Sequence, residues 1–293
     1  MFSSMFFITK SVSTLFAPVY HSPAALPLRP ACLSPQVMAY NERVPTPFYH
    51  LAIAHQLSQH PALSERIRNA LNQHQSAFLL GNTAPDVQVV SGQTREATHF
   101  YTLPPQDQNP AWQNMLAAYP ALGAASALPA EQAIFIAGYC CHLQADEAWL
   151  YEIFIPLFGP QAEWEDFRKR LYIHNVLRIY LDRQVLEALP EDTAAQLSRA
   201  EPQKWLPFVG DEHLREWRDY LANQLAPGAP VHTVEVFAQR QGLPSEQFQD
   251  LLASESRMQA EVFAHLPEQR LDRFQRKLVE ENVALLLDYL KGI

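Results

Sequence analysis

Residues 133–158 read AIFIAGYCCHLQADEAWLYEIFIPLF, and this stretch decides the fold class. From Ala133 to Leu143 almost every face is apolar, with no polar stripe at the helical repeat, which is the pattern of a helix buried inside a bundle. Glu131 opens it. Its polar break, His142-Leu143-Gln144-Ala145-Asp146-Glu147, sets an imidazole and a carboxylate four residues apart, on one face and about one turn from each other. A carboxylate on such a helix is costly to bury unless it is paired or bound to a metal. His142 and Asp146 therefore either bond each other where the helix emerges into water, or share an ion.

Helical signals extend outward on both sides. Thr46 has the chemistry of an N-cap and Pro47 that of a first helical residue, so a helix is expected from Pro47 to about His60-Pro61. A second is expected from about Leu63 to Leu80, closed by Gly81-Asn82 as a C-cap pair. The turn Thr83-Ala84-Pro85-Asp86 follows, then a loop from Val90 to about Asn109 and a helix from Pro110 to Tyr119. Beyond the central helix, an amphipathic helix spans about Glu163 to Leu189, with Trp164, Phe167, Leu171, Leu181 and Val185 on one stripe. Four more are expected near 211–226, 231–241, 244–265 and 267–290. Strand signals are weak and no fixed repeat occurs, so the expected architecture is all-α. Three regions are read: a poorly ordered leader over 1–40, a helical domain over 41–195 and a helical extension over 196–293.

Composition excludes several functions. The 293 residues hold 9 Gly and 23 Pro, too few glycines for phosphate-cradling loops. No two glycines stand two apart, and Gly-Lys, HExxH and CxxC are absent, which removes dinucleotide, P-loop, zincin and zinc-finger readings. A net charge of −9 without a basic patch disfavours nucleic acid. No apolar run is long enough to span a membrane. Lys10 interrupts the apolar start, so a disordered tail, or an extension ahead of a true start at Met38, is preferred over a secretory signal. Cys140 and Cys141 are adjacent and read as core, Cys32 lies in the leader, and a reducing, cytoplasmic setting is expected; a signal within 1–37 would instead imply secretion or a periplasmic location.

His50, Asp86 and His99 are each ordinary residues alone: a core histidine, a turn aspartate and a loop histidine. With His142 and Asp146 they form an ordered set of imidazoles and carboxylates of the kind that helical metalloproteins converge inside a bundle.

The order His50, Gly81-Asn82-Thr83-Ala84-Pro85-Asp86, Thr98-His99-Phe100 and Gly138-Tyr139-Cys140-Cys141-His142-Leu143-Gln144-Ala145-Asp146-Glu147 resembles the zinc-dependent phospholipase C family, relatives of the S1/P1 nucleases and of the catalytic part of glycosylphosphatidylinositol-specific phospholipase D. Pro45-Thr46-Pro47-Phe48-Tyr49-His50 is similar to the opening of short prokaryotic members. The resemblance covers about Thr46 to Leu189. It implies an all-α domain that holds up to three zinc ions in a cleft and hydrolyses phosphodiesters of lipids or nucleic acids; a small-molecule or lipid phosphodiester is the substrate expected here. It further implies that His99, His142 and Asp146 are ligands of a first zinc, that Asp146 bridges to an ion also held by His50, and that Asp86 is a ligand or the base that orients water. The chain departs from the family where a mature N-terminal Trp ligand is usual, since no Trp precedes Trp112, and where a later HxxxE pair is usual, since His174 is followed by Arg178. Asp182 and Glu152 are the candidates to replace that acid, and Arg178 reads as a solvated charge or a phosphate contact. One or two zinc ions are expected, and three less so. The alternatives are a degenerate helical protein that binds a metal or a partner, and a P1-like nuclease.

Overall fold

The computed structural model describes residues 44–103, 109–226 and 232–293, and among these every regular element is helical. The readings of the leader, of Met38 and of Cys32 lie outside the described residues. In chain order the main helices are α1 (Pro47–Ser58), α2 (Glu65–Gln73), α3 (Gln75–Gly81), α4 (Arg95–His99), α5 (Ala111–Ala118), α6 (Ala130–Trp149), α7 (Phe167–Ala188), α8 (Asp211–Gln224), α9 (Thr233–Gln241), α10 (Ser245–Leu252) and α11 (Glu268–Tyr289).

Helix α6 is the axis. Every residue from Ala133 to Leu143 is buried, as an all-round apolar helix requires. Helices α3, α5 and α11 pack on it, and α1 packs on α7 and α11. Past Trp149 the chain continues as a π-helical stretch, Leu150–Phe158. Pro156 lies within that stretch and has no N–H to give to a helix hydrogen bond.

Several expected details are revised: the loop expected from Val90 to about Asn109 contains the short helix α4, and the helix expected over 244–265 is interrupted after Leu252. The helix expected over 63–80 is broken at His74, whose φ of −114° and ψ of 37° end α2 and begin α3. Ile67 and Leu71 are the buried residues of α2, whereas α3 is buried continuously from Ala77 to Gly81, so one straight rod cannot satisfy both segments. Gly81 is also not a left-handed cap; it is the last residue of α3, and the cap is Asn82 at φ −65°. The glycine is needed for proximity. A Cβ at Gly81 would stand 2.1 Å from the Phe135 carbonyl oxygen, and one at Gly138 would stand 2.6 Å from that of Phe78. The two helices thus cross nearly backbone to backbone.

The stretch after residue 196 packs onto the same core. The Trp205 ring packs at a tilt 4.9 Å from that of Phe135, and the Tyr289 hydroxyl donates to the Leu122 carbonyl at 2.7 Å. Trp217 of α8 donates its indole N–H to the Thr83 carbonyl at 2.8 Å, pinning the turn that carries Asp86.

Gly138→Ala should destabilise the fold by roughly 3 kcal/mol or more, as overpacking against rigid backbone does. Gly92→Ala, at φ 71° with nothing within 4 Å of the added carbon, should cost only about 1 kcal/mol. Urea unfolding of the two variants checks the ranking, and equal losses would contradict a backbone crossing at Gly138.

Candidate metal centre

Four elements deliver five polar side chains to one buried point. His50 comes from the first turn of α1, Asp86 from the 3-10 turn Ala84–Val87, His99 from the last turn of α4, and His142 with Asp146 from the middle of α6. His50, His99, His142 and Asp146 are 0–1% exposed and so shielded from bulk solvent. Asp86 is slightly open and lines a cleft.

Local structure aims each one. Thr46 adopts a cap conformation, but its hydroxyl donates to Asp182 and makes no capping bond to the helix. Pro47 at the helix start has no N–H to leave unsatisfied. Thr94 caps α4 by accepting from the Ala97 N–H at 3.3 Å. That helix stops at Phe100, a left-handed residue with φ 59°, a conformation that costs an L-residue about 1–2 kcal/mol. Its ring packs 5.1 Å from Phe208 and its carbonyl accepts from Asn114 at 3.2 Å, contacts that hold the turn in place.

The distances define a metal-ligating constellation. Asp146 Oδ1 lies 3.2 Å from His50 Nε2, and its Oδ2 lies 3.4 Å from His99 Nε2 and 3.5 Å from His142 Nε2. His99 Nε2 is also 3.5 Å from Asp86 Oδ1. The imidazoles of His50 and His142 stack at 3.8 Å. Two triads, His50/His142/Asp146 and Asp86/His99/His142, each place their ligand atoms within 4.8 Å of one another.

Outer contacts fix the rings. His142 Nδ1 donates to the Asn82 carbonyl at 2.8 Å, leaving Nε2 turned inward. Thr98 Oγ1 donates to Gln88 Oε1 at 2.8 Å and stands 3.0 Å from His99 Nδ1, so that nitrogen carries the proton and Nε2 keeps its lone pair. Yet His50 Nε2, His99 Nε2, His142 Nε2 and Asp146 Oδ1 make no well-directed hydrogen bond. Buried lone pairs without donors, converging on one point, are what a divalent cation needs and what a core otherwise avoids. These residues fit zinc.

Residues 49–149 match the model of the family described as zinc dependent phospholipase C. Over that stretch the chain is similar to the zinc-dependent phospholipase C family. The match takes in all five converging residues and about a third of the chain. No curated protein and no solved structure matches. The family match and the cluster together support a zinc-dependent, phospholipase-like function, and no helix among the described residues is long and apolar enough to cross a membrane.

The electrostatics follow from burial and from a residue that the sequence reading passed over. Arg95, one turn before His99 on α4, donates to Asp146 Oδ2 and to the Tyr101 hydroxyl at 2.7 Å, and lies 3.8 Å from Asp86. Burial alone would favour its neutral form, but Tyr101, Asp146 and Asp86 keep it charged. Burial would likewise raise both carboxyls, and this is outweighed at Asp146 by His142 and Arg95, and at Asp86 by His99, which leaves Asp86 near about 2. Burial and Arg95 push His99 down to about 4. The spacing Arg95-x-x-x-His99 places both on one helix face, a signal available in the sequence.

The remaining expected residues do not join the cluster. His174 is fully buried and accepts the Trp149 indole N–H at 3.0 Å, among Phe154 and Phe158. Glu152 pairs with Lys277 at 2.6 Å on the surface. Arg178 donates to Asn175 at 3.1 Å and lies over the Phe237 ring at 4.4 Å, buried and not solvated. Asp182 is held by the Thr46 hydroxyl and by the Thr233 hydroxyl at 3.1 Å. Arg178 and Asp182 line the cleft that reaches Asp86. Cys140 and Cys141 are fully buried, and burial pushes both thiols upward, as core residues.

Burial pushes the Asp182 carboxyl up to about 7, against the opposing Thr46 bond and Arg178. Its folded value lies above its unfolded one, so the folded chain binds the extra proton and stability falls as pH rises from about 4 to about 7. Asp182→Asn keeps both hydroxyl contacts without the charge. It should raise stability at pH 8, by at most about 4 kcal/mol, and by little at pH 4. Thermal unfolding across that range checks this, and a gain independent of pH would refute a buried, titrating carboxyl.

Proposed function

We propose that this protein hydrolyses phosphodiester bonds as a zinc-dependent, phospholipase C/D-like enzyme. The observation that carries the reading is the set of buried, unpartnered lone pairs on His50, His99, His142 and Asp146, drawn from three helices to one point. Zinc held there, with ligands drawn from these residues, would supply Lewis acidity toward a phosphoryl oxygen and toward water.

The chain's own groups do the rest. Asp86, alone of the five, faces the cleft, and its ionised carboxylate accepts a proton from the attacking water. His99 Nε2 at 3.5 Å and Arg95 at 3.8 Å hold that carboxylate in place. The cleft continues along Thr46, Phe48, Arg178, Trp217, Phe237 and Arg240. Two guanidinium groups suit an anionic phosphate, and the aromatic wall suits an apolar substituent on it. That mixture favours a lipid or small-molecule phosphodiester over a polynucleotide, which would need a basic track that the chain lacks.

Asp86→Asn should keep the fold and lower turnover of a chromogenic phosphodiester by roughly 10²–10⁴-fold, the range expected for loss of a general base. The His142→Ala/Asp146→Ala double variant should lose bound zinc as well as turnover. Metal content by plasma mass spectrometry alongside the hydrolysis assay checks both. A native protein that binds no zinc when supplied with it, or a double variant that keeps it, would refute the reading.

A further inference from the structure

The cluster offers two carboxylates, and one of them is already engaged by a cation of the protein itself. Arg95 Nη2 donates to Asp146 Oδ2, and Nη1 lies 3.8 Å from Asp86 Oδ1. Those are the same two oxygens that stand 3.4 Å and 3.5 Å from His99 Nε2. The subsite formed by Asp86, His99 and the outer oxygen of Asp146 therefore has a guanidinium on its anionic ligands. The guanidinium is anchored there: it is 95% buried, and its Nη2 also donates to the Tyr101 hydroxyl at 2.7 Å.

The other side of the cluster is different. Asp146 Oδ1 accepts no hydrogen bond, and neither His50 Nε2 nor His142 Nε2 has a donor or acceptor partner. His142 has only one nitrogen to give, because Nδ1 is committed to the Asn82 carbonyl. A nitrogen lone pair serves one ion. The two ligand triads share His142, so they cannot both be filled through it.

We propose that Arg95 is the resident second cation of this cluster, so that the site takes one divalent ion, on the His50/His142/Asp146 side, and not two. The inference rests on the reading of the cluster as a zinc site. Charge balance supports it. With Asp86 and Asp146 ionised and Arg95 charged, one divalent ion leaves the cluster at a single net positive charge, and two would leave it at three. A largely buried cluster resists such an excess. Replacing an ion by a guanidinium also keeps a positive charge beside Asp86 that cannot be chelated away or deprotonated, since arginine stays charged throughout the physiological range.

The test is zinc stoichiometry in the full-length wild type, Arg95→Gln and Arg95→Lys. Zinc per chain is read by plasma mass spectrometry on protein purified without chelator. After chelator stripping, it is read again by calorimetric titration with zinc and by the equivalence point of cobalt(II) absorption. The expected result is one ion in the wild type and in Arg95→Lys, which keeps the charge, and two in Arg95→Gln, where Asp146 is freed to bridge. Two or more ions in the wild type would overturn the proposal while leaving the zinc reading intact, and this arm needs no variant to fold. A single ion in Arg95→Gln with native circular dichroism and melting would also overturn it. No ion in the wild type would instead overturn the zinc reading, and the proposal with it.

Discussion

The Asp146 carboxylate is fully buried on a helix whose neighbouring faces are aliphatic, aromatic or thiol. An ion in that position must be compensated by several partners or it unfolds the region around it. One guanidinium, Arg95 of α4, bonds it directly, and three imidazoles from α1, α4 and α6 surround it. The packing of those helices is therefore tied to one charge.

Close approach of backbones makes this possible. Gly81 and Gly138 let α3 and α6 cross almost in contact, and that crossing places the Asn82 carbonyl against His142 and the Ala84–Val87 turn beside it. The turn is then fastened from the far end of the chain by Trp217, and Phe100 is packed by Phe208. Residues after 196 thus brace the elements that carry Asp86 and His99, and with α7 they build the cleft into which Asp86 opens. Site and cleft depend on both parts of the sequence.

Much of the fold was legible in the chain because its signals are local. The all-round apolar run of α6 and Pro47 at the start of α1 are properties of neighbouring residues; the stripe expected on α7 is not, since only Leu181 of it is buried and the chain from Tyr172 to Ile179 is buried on every face. The break at His74 was not legible, since no glycine or proline marks it; it arises because α2 and α3 bury different faces against different partners. Gly81 invited a cap reading for the same reason: sequence shows a glycine near a helix end, and only the approach of Phe135 shows why it must lack a side chain.

For the site, His50, Asp86 and His99 looked ordinary one by one, and it was their order together with His142 and Asp146, and the family resemblance that this order carries, that singled out the five. Arg95 went unnoticed because an arginine one turn from a histidine is common on a solvated helix, and only burial against Asp146 distinguishes it. His174, Glu152, Arg178 and Asp182 show the converse. Their spacing allowed them to be near the cluster, and the packing of α7 and α11 sent His174 to Trp149, Glu152 to Lys277, and Arg178 with Asp182 to the cleft. The sequence alone determined the helical class and the chemistry on hand, because periodicity and residue type are local. The tertiary structure decided which groups meet and which charges answer one another, because contacts between helices distant in sequence depend on shape and burial that no single segment contains.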